Sequence, residues 1–152
     1  MGLWDWALAA YARPGVPEAC LILQDEHGQN VSFLLWAAWA EVRDPAVLAR
    51  AAHVAEAWEA AVLGPLREVR RGLKPPFPPV GDLAREGLRA DVKAVELRAE
   101  RVLLETLGGL AGPERGGEGT FAALHAASAA WSPPAPDAPL AALARALSRA
   151  RD

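Results

Sequence analysis

The side chains best suited to chemistry lie in one polar segment between two apolar runs. Gln24, Asp25, His27 and Asn30 combine a carboxylate, an imidazole and two amides within this short segment. Such groups can supply the few polar contacts of a small-molecule pocket, and indole rings can supply its apolar walls. Capping and solvation of a corner between two helices explain most of the same residue types. Under the pocket hypothesis, the walls would be Trp36, Trp39 and Trp58.

The remaining arrangements give little support for catalysis. The histidines, His27, His53 and His125, lie in separate predicted helices or at their ends, without the spacing of a zinc site. His53 and Glu56 have the order His-x-x-Glu, whereas di-metal helix bundles use Glu-x-x-His. Cys20 lies inside an apolar run with no activating neighbour in the sequence. We therefore predict no catalytic residue, no metal site and no cofactor.

Two apolar runs, 19–23 and 31–39, flank the polar segment and predict two helices. Pro17 suits a first helical turn, Gly28 suits the left-handed residue after a helix end, and Asn30 suits the cap of the next helix. Apolar residues cover most of the circumference of both helices. We therefore expect the pair to lie at the centre of a bundle.

A short helix is predicted before this pair, over residues 3–12. Trp4 and Trp6 are two residues apart, so they point about 200° from one another on a helix and cannot both enter one core face. One of them must be exposed, cover an adjacent element, or contact a partner.

Three segments together carry a family resemblance. They are LWDWALAAY at Leu3–Tyr11, RPGV at 13–16 and ACLILQDEHGQNVSFLLW at 19–36. This pattern resembles the core motif of the DUF2390 family, small proteobacterial proteins of uncharacterised function. The resemblance covers roughly the first third of the chain, and it implies no catalytic residues because the family has no established activity.

The middle of the chain predicts two long amphipathic helices. Asp44 and Pro45 begin the first, which Gly64-Pro65 should kink or break, and Asp82 should cap the second. We expect the two to pack antiparallel. Glu96 and Glu100 are interpreted as part of a solvated helix surface. The first apolar stripe is Val47, Ala51, Val54, Trp58, Val62, Leu66 and Val69, and the second is Leu88, Val92, Val95, Ala99, Val102 and Thr106.

Three segments are predicted to connect helices. Residues 72–81 form a stiff proline-rich connector with Phe77 anchored to the core, and 108–119 form a glycine-rich loop. Residues 132–139 form a second proline-rich connector. A short helix should precede this connector, with Phe121, Leu124 and Ala127 along one side. A final helix should begin at Asp137 and face inward with Leu140, Leu143, Ala144 and Leu147.

Composition sets the class of protein. The chain has 152 residues, of which 52% are apolar and 23% are charged, as is usual for one globular domain. A net charge of -3 gives no cationic field for nucleic acid. We expect no signal peptide, and the longest apolar run is about half of the roughly 20 residues that span a bilayer. A lone cysteine fits a reducing compartment. Together these features predict a soluble, cytoplasmic protein without nucleic-acid or membrane partners.

These features predict an all-α, single-domain helical bundle of five to seven helices over residues 1–152. Two long antiparallel helices should pack on the hydrophobic N-terminal pair. Two functions stay open. The favoured one is a non-enzymatic protein that self-associates or docks to a protein partner through Trp4 and Trp6. The alternative is a small-molecule binder or enzyme with the tryptophan-lined pocket described above.

Overall fold

A computed structural model describes residues 2–42, 44–112 and 120–148. These residues are helical with no strand, which confirms the all-α prediction, and none of the described helices is long and apolar enough to cross a membrane. The first five helical segments run from α1 to a π-helical turn, and four α-helices follow. The bounds are α1 Leu3–Tyr11, α2 Val16–His27, α3 Val31–Ala40, α4 Pro45–Trp58, the π-helical turn Glu59–Leu63, α5 Gly64–Gly72, α6 Asp82–Leu110, α7 Thr120–Ala130 and α8 Asp137–Ser148.

The corner between α2 and α3 is built as the sequence predicts. Gly28 ends α2 with a left-handed φ of 62°, and Asn30 caps α3 by accepting from the Phe33 amide at 2.9 Å. Helix α3 lies at the centre, against α1, α4, α6 and α7. Helix α2 lies nearer the surface against α8, so Leu21 and Ile22 are exposed. The expectation of burial on most sides therefore holds for α3 and is wrong for α2.

Helices α4 and α5 form one continuous rod through the π-helical turn. Asp44 caps the rod by accepting from the Ala46 amide at 2.9 Å, as predicted. The predicted interruption at Gly64-Pro65 is this π-helical turn, which ends immediately before Gly64. A Cβ atom on Gly64 would lie 2.9 Å from the Glu59 carbonyl oxygen, so the turn depends on a residue without a side chain.

Helix α6 runs antiparallel to this rod. Arg85 contacts the chain at Leu73 and Lys74, whereas the carbonyl of Ala99, further along α6, accepts from Trp58. Asp82 is the first residue of α6 and does not cap it, since its carboxylate accepts from Arg85 instead. The prediction of Asp82 as the cap is therefore wrong.

The buried face of α6 differs from the predicted stripe. Leu88, Val95 and Val102 are exposed, so the prediction that they face the core is wrong. The buried residues lie about a quarter turn away around the helix. Two charged side chains, Arg85 and Glu96, can be buried on this face because each has a partner on or just after α5. The buried residues of α6 are Arg85, Glu96, Ala99, Leu103, Leu104 and Leu107.

The connector between α5 and α6 is held by a charged residue. Phe77 is 63% exposed, so its predicted role as the core anchor is wrong. Arg85 is buried and donates to the carbonyls of Leu73 and Lys74 at 3.0 and 2.8 Å. Helix α6 also continues through Gly108 and Gly109, inside the predicted loop. Residues 113–119 of that loop lie outside the described residues.

The C-terminal helices pack as predicted, apart from one aromatic ring. The four leucine and alanine residues predicted to face inward from α8 are all buried. In α7, Leu124 and Ala127 are buried, whereas Phe121 is exposed. Helix α7 packs on α3 and α4, and α8 packs on α2. Trp131 fixes the end of α7 by donating to the Gly28 carbonyl at 3.0 Å.

Candidate functional site

A partly buried ionic network joins the π-helical turn to α5 and α6. Arg67 Nη1 donates to Glu59 Oε1 at 2.6 Å, and Arg70 Nε donates to Glu96 Oε2 at 2.6 Å. Arg67 Nε lies 4.0 Å from Glu96 Oε1, which connects the two pairs. All four side chains are mostly shielded from solvent, so salt and water weaken these pairs less than they weaken surface pairs.

Burial and charge act in opposite directions on Arg67. Burial disfavours the charged guanidinium, but the hydrogen bond and negative charge of Glu59, with further charge from Glu96 and Glu100, outweigh it and raise the pKa of Arg67. Arg67 therefore stays charged and holds the network together.

Asn30 connects this network to α3. Its Oδ1 caps α3, and its Nδ2 donates to Glu59 Oε2 at 3.2 Å. The capping interpretation is therefore confirmed for Asn30, which is buried. The side chain uses both ends of its amide in structural contacts.

The other three predicted pocket residues have different neighbours. Gln24 is half-buried and lines a cleft beside α1. Asp25 is exposed, accepts from Arg71 Nη2 at 3.2 Å and lies 3.5 Å from the Gln24 amide. The His27 carbonyl accepts from the Gln29 side chain at 3.2 Å. The structure thus brings Gln24 and Asp25 together, and it gives His27 and Asn30 separate contacts.

The three tryptophans of the predicted pocket wall also separate. Trp36 is fully buried, stacks on Phe33 and donates to the Ala111 carbonyl at 3.3 Å. Trp39 is partly buried against the core. Trp58 donates to the Ala99 carbonyl at 3.0 Å and lines a shallow groove whose lining does not include the other two rings.

The N-terminal tryptophans are both partly buried against the core. The guanidinium carbon of Arg101 lies 5.3 Å from the centre of a Trp4 ring, in a cation-π contact. Trp4 also forms one wall of the cleft that contains Gln24.

This cleft lies where α1, α2 and α3 meet α6, and its volume is about 180 Å³. We call it the α1/α6 cleft. Its lining is mainly apolar, with a few polar groups from all four helices. The lining residues are Trp4, Ala7, Leu8, Tyr11, Gln24, Val31, Ser32, Leu35, Leu97, Glu100 and Leu104.

Glu100 is the carboxylic acid that lines the α1/α6 cleft. Burial, then the charge of Glu96, raise the pKa of Glu100 to about 7, although Arg67 opposes them. Burial, followed by Cys20 and Glu100, raises the pKa of Tyr11 above its ordinary value. Burial alone raises the pKa of Cys20 to about 12, so this thiol is protonated at neutral pH and is a poor nucleophile.

Sequence reasoning missed the network and the carboxyl of the cleft. Interpreting Glu96 as part of a solvated surface was wrong, because only 9% of that residue is exposed. A signal was present, since Arg67 and Arg70 lie on one predicted helix and Glu96 and Glu100 on the next. Because these helices pack antiparallel, the arginines and the glutamates lie at the same height along the pair.

An apolar edge of α6 faces solvent on the other side of the helix from Leu97. Leu88, Val95 and Val102 are 53%, 52% and 42% exposed, and each is seven residues from the next. We call these three residues the α6 seam. Asp91 and Arg98 flank the seam and are exposed, and among the described residues neither belongs to an ion pair.

The seam ends in the shallow groove next to Trp58. Val102, Leu103 and Thr106 of α6 form one side of this groove, and residues of α4 and the π-helical turn form the other. Its volume is about 460 Å³ and its surface is almost entirely apolar.

No group of three or more His, Cys, Asp or Glu side chains is placed to hold a metal ion within 2–42, 44–112 and 120–148. Comparison with known proteins gives one family: a model described as "Protein of unknown function (DUF2390)" matches residues 2–107. No curated protein and no solved structure matches the chain.

Proposed function

We propose that this chain, which belongs to the DUF2390 family, is a non-enzymatic helical module that self-associates through α6. The observation that supports this proposal is the α6 seam. Three large apolar side chains on one edge of a long helix are about half exposed, although burial of such side chains is favourable.

The spacing of the seam fits a second copy of the same helix. Residues seven apart stay on one edge of an α-helix, which is the repeat by which helices pack along a shared line. Val95 lies midway between Leu88 and Val102. In an antiparallel pair with a two-fold axis at Val95, Leu88 of each copy faces Val102 of the other.

The flanking charges fit the same arrangement. The two-fold axis at Val95 places Asp91 of one copy at the level of residue 99 of the other, next to Arg98. Two symmetric ion pairs would therefore border the apolar seam. A parallel pair would place Asp91 beside Asp91 and Arg98 beside Arg98, and repulsion disfavours that orientation.

The end of the α5–α6 connector and the first turn of α6 add apolar surface to the pair. Phe77, Val80 and Leu83 are all exposed, and Leu83 is 87% exposed. The two-fold axis brings the beginning of one α6 over the end of the other. These side chains would therefore cover the shallow apolar groove beside Trp58 of the partner copy.

The proposal is tested by sedimentation equilibrium on the full chain. We expect wild type to be dimeric at tens of micromolar, and Val95→Glu to be monomeric with unchanged helicity. Leu21→Glu is the matched control, because Leu21 is 57% exposed on α2 and should leave the dimer intact. A wild type that stays monomeric at millimolar concentration overturns self-association.

A charge swap tests the orientation. Asp91→Arg and Arg98→Asp should each weaken the dimer because each creates a repulsive pair, and the double variant should restore it. Additive weakening in the double variant contradicts the antiparallel pair. The separate prediction that Trp4 and Trp6 form the contact would be supported if Trp4→Ala or Trp6→Ala changed assembly.

A further inference from the structure

We propose that the α1/α6 cleft binds a small organic ammonium ion. The Glu100 carboxylate would pair with the ammonium nitrogen, and the rings of Trp4 and Tyr11 would cover an apolar part of the ligand about the size of one ring. This binding site is independent of the α6 seam, which lies on the other side of α6.

The charge balance leaves a carboxylate without a cation. Glu59, Glu96 and Glu100 lie around two guanidinium groups, those of Arg67 and Arg70. The short contacts of these guanidiniums go to Glu59 and Glu96. Among the described residues, no ion pair includes Glu100. When all three carboxyls are ionised, the group has one negative charge in excess, and Glu100 is its member that lines the cleft.

The wall is suited to a cation with an apolar body. Trp4 and Tyr11 of α1 present aromatic rings, and Trp4 already has a guanidinium over one of its rings. That guanidinium, of Arg101, donates to Glu105 at 2.8 Å, so a carboxylate offsets its charge. Aromatic faces attract cations, and Leu97 and Leu104 provide apolar contact for the remainder of a ligand.

The size of the cleft limits the ligand. A cavity of about 150 Å³ takes up benzene, so a cleft of about 180 Å³ accommodates one ring with a short side chain. Gln24 and Ser32 line the same cleft and offer oxygens to the remaining ammonium hydrogens. The fitting chemical class is a protonated aryl-alkyl amine.

The groups around Glu100 determine how binding depends on pH. Glu96 of α6 and Glu59 of the π-helical turn favour its neutral form, as does burial, and Arg67 and Arg70 of α5 favour its charged form. Tyr11 of α1 is neutral at these pH values, since its ordinary pKa lies above them and burial raises that pKa further. Since the pKa of Glu100 is about 7, ammonium binding should tighten roughly tenfold between pH 6 and pH 8.

The test is calorimetric titration of the full chain with 2-phenylethylammonium, and separately with neutral 2-phenylethanol and anionic phenylacetate. We expect the ammonium to bind, the alcohol to bind roughly tenfold more weakly, and the anion not to bind. Equal affinity for the ammonium and the alcohol would overturn selection of a cation. The lack of saturable ammonium binding at millimolar concentration would overturn the site.

Two variants separate the carboxylate from general effects on the fold. Glu100→Gln keeps the shape and should lose the preference for the ammonium and the pH dependence. Glu68→Gln removes one exposed carboxylate from α5 and should bind as wild type does. Circular dichroism checks that both variants are folded. Undiminished ammonium binding by Glu100→Gln contradicts the proposal.

Discussion

Arg67 Nη1 and Glu59 Oε1 lie 2.6 Å apart although the two residues are eight positions apart along one helical rod. In an uninterrupted α-helix, eight positions place two side chains about 80° apart around the axis. The π-helical turn Glu59–Leu63 takes up one extra residue, so the pair acts as if it were seven apart and shares a face. The turn is therefore what brings Glu59 into the ionic network.

Gly64→Ala should destabilise the protein by about 1 to 2 kcal/mol, although alanine is the better helix former. The new Cβ would lie 2.9 Å from the Glu59 carbonyl oxygen, and backbone must shift to relieve the clash. Urea denaturation followed by circular dichroism measures the change. Gly87→Ala is the matched control, because no atom lies within 4 Å of its Cβ position, and it should stabilise by roughly 0.5 to 1 kcal/mol.

Arg67→Met should cost about 2 kcal/mol of unfolding free energy, since it leaves Glu59 and Glu96 partly buried without this cation. Adding Glu59→Gln to that variant should recover part of the loss by removing one unpaired charge. The same urea titration gives both values.

Arg71→Met provides the comparison for an exposed pair. Arg71 pairs with Asp25 at 3.2 Å, and both side chains are well exposed. Its loss should therefore change stability by less than about 0.5 kcal/mol. An equal cost for the two arginine variants would contradict the special role given to the network.

The sequence predicts the helices and the caps of α3 and α4, because these depend on local chemistry. Asn30 and Asp44 were identified as caps from residue type and position alone, and both form the expected hydrogen bonds. The inward face of α6 was not predictable in this way, because apolar periodicity gave a stripe through Val95. The buried face includes Glu96, whose partner Arg70 lies on the neighbouring helix, and the periodicity of α6 alone does not reveal that partner.

The same limit applies to the site. Gln24 was a predicted pocket residue and does line a cleft, but the carboxyl there comes from Glu100, far away in sequence. Charge at a helix position does not reveal burial until the neighbouring helix is known. The polar residues around Asp25 are adjacent in sequence, so a pattern in the sequence can identify them, whereas the cleft combines residues from four helices.

Asn30→Ala should destabilise the protein by about 1 to 2 kcal/mol, because it removes the buried cap of α3 and the contact with Glu59. Asp44→Ala removes an exposed cap of α4 and should cost only about 0.5 to 1 kcal/mol. Thermal unfolding of the two variants at one pH ranks them. A smaller loss in Asn30→Ala than in Asp44→Ala would show that the Glu59 contact adds nothing.

Glu100 should make the protein less stable as pH rises. Its pKa is about 7 in the folded chain and near its ordinary value of 4.5 in the unfolded chain. Between these two values the folded state holds more protons than the unfolded state, so unfolding free energy falls as pH rises through this window. Above the folded-state pKa of Glu100, the loss of unfolding free energy is constant, at about 2 kcal/mol after allowing for partial solvent access. Glu100→Gln should therefore match wild type near pH 4 and exceed it at pH 8, as measured by urea denaturation across that range. A stability difference that does not change with pH would contradict the raised pKa and place Glu100 in contact with solvent.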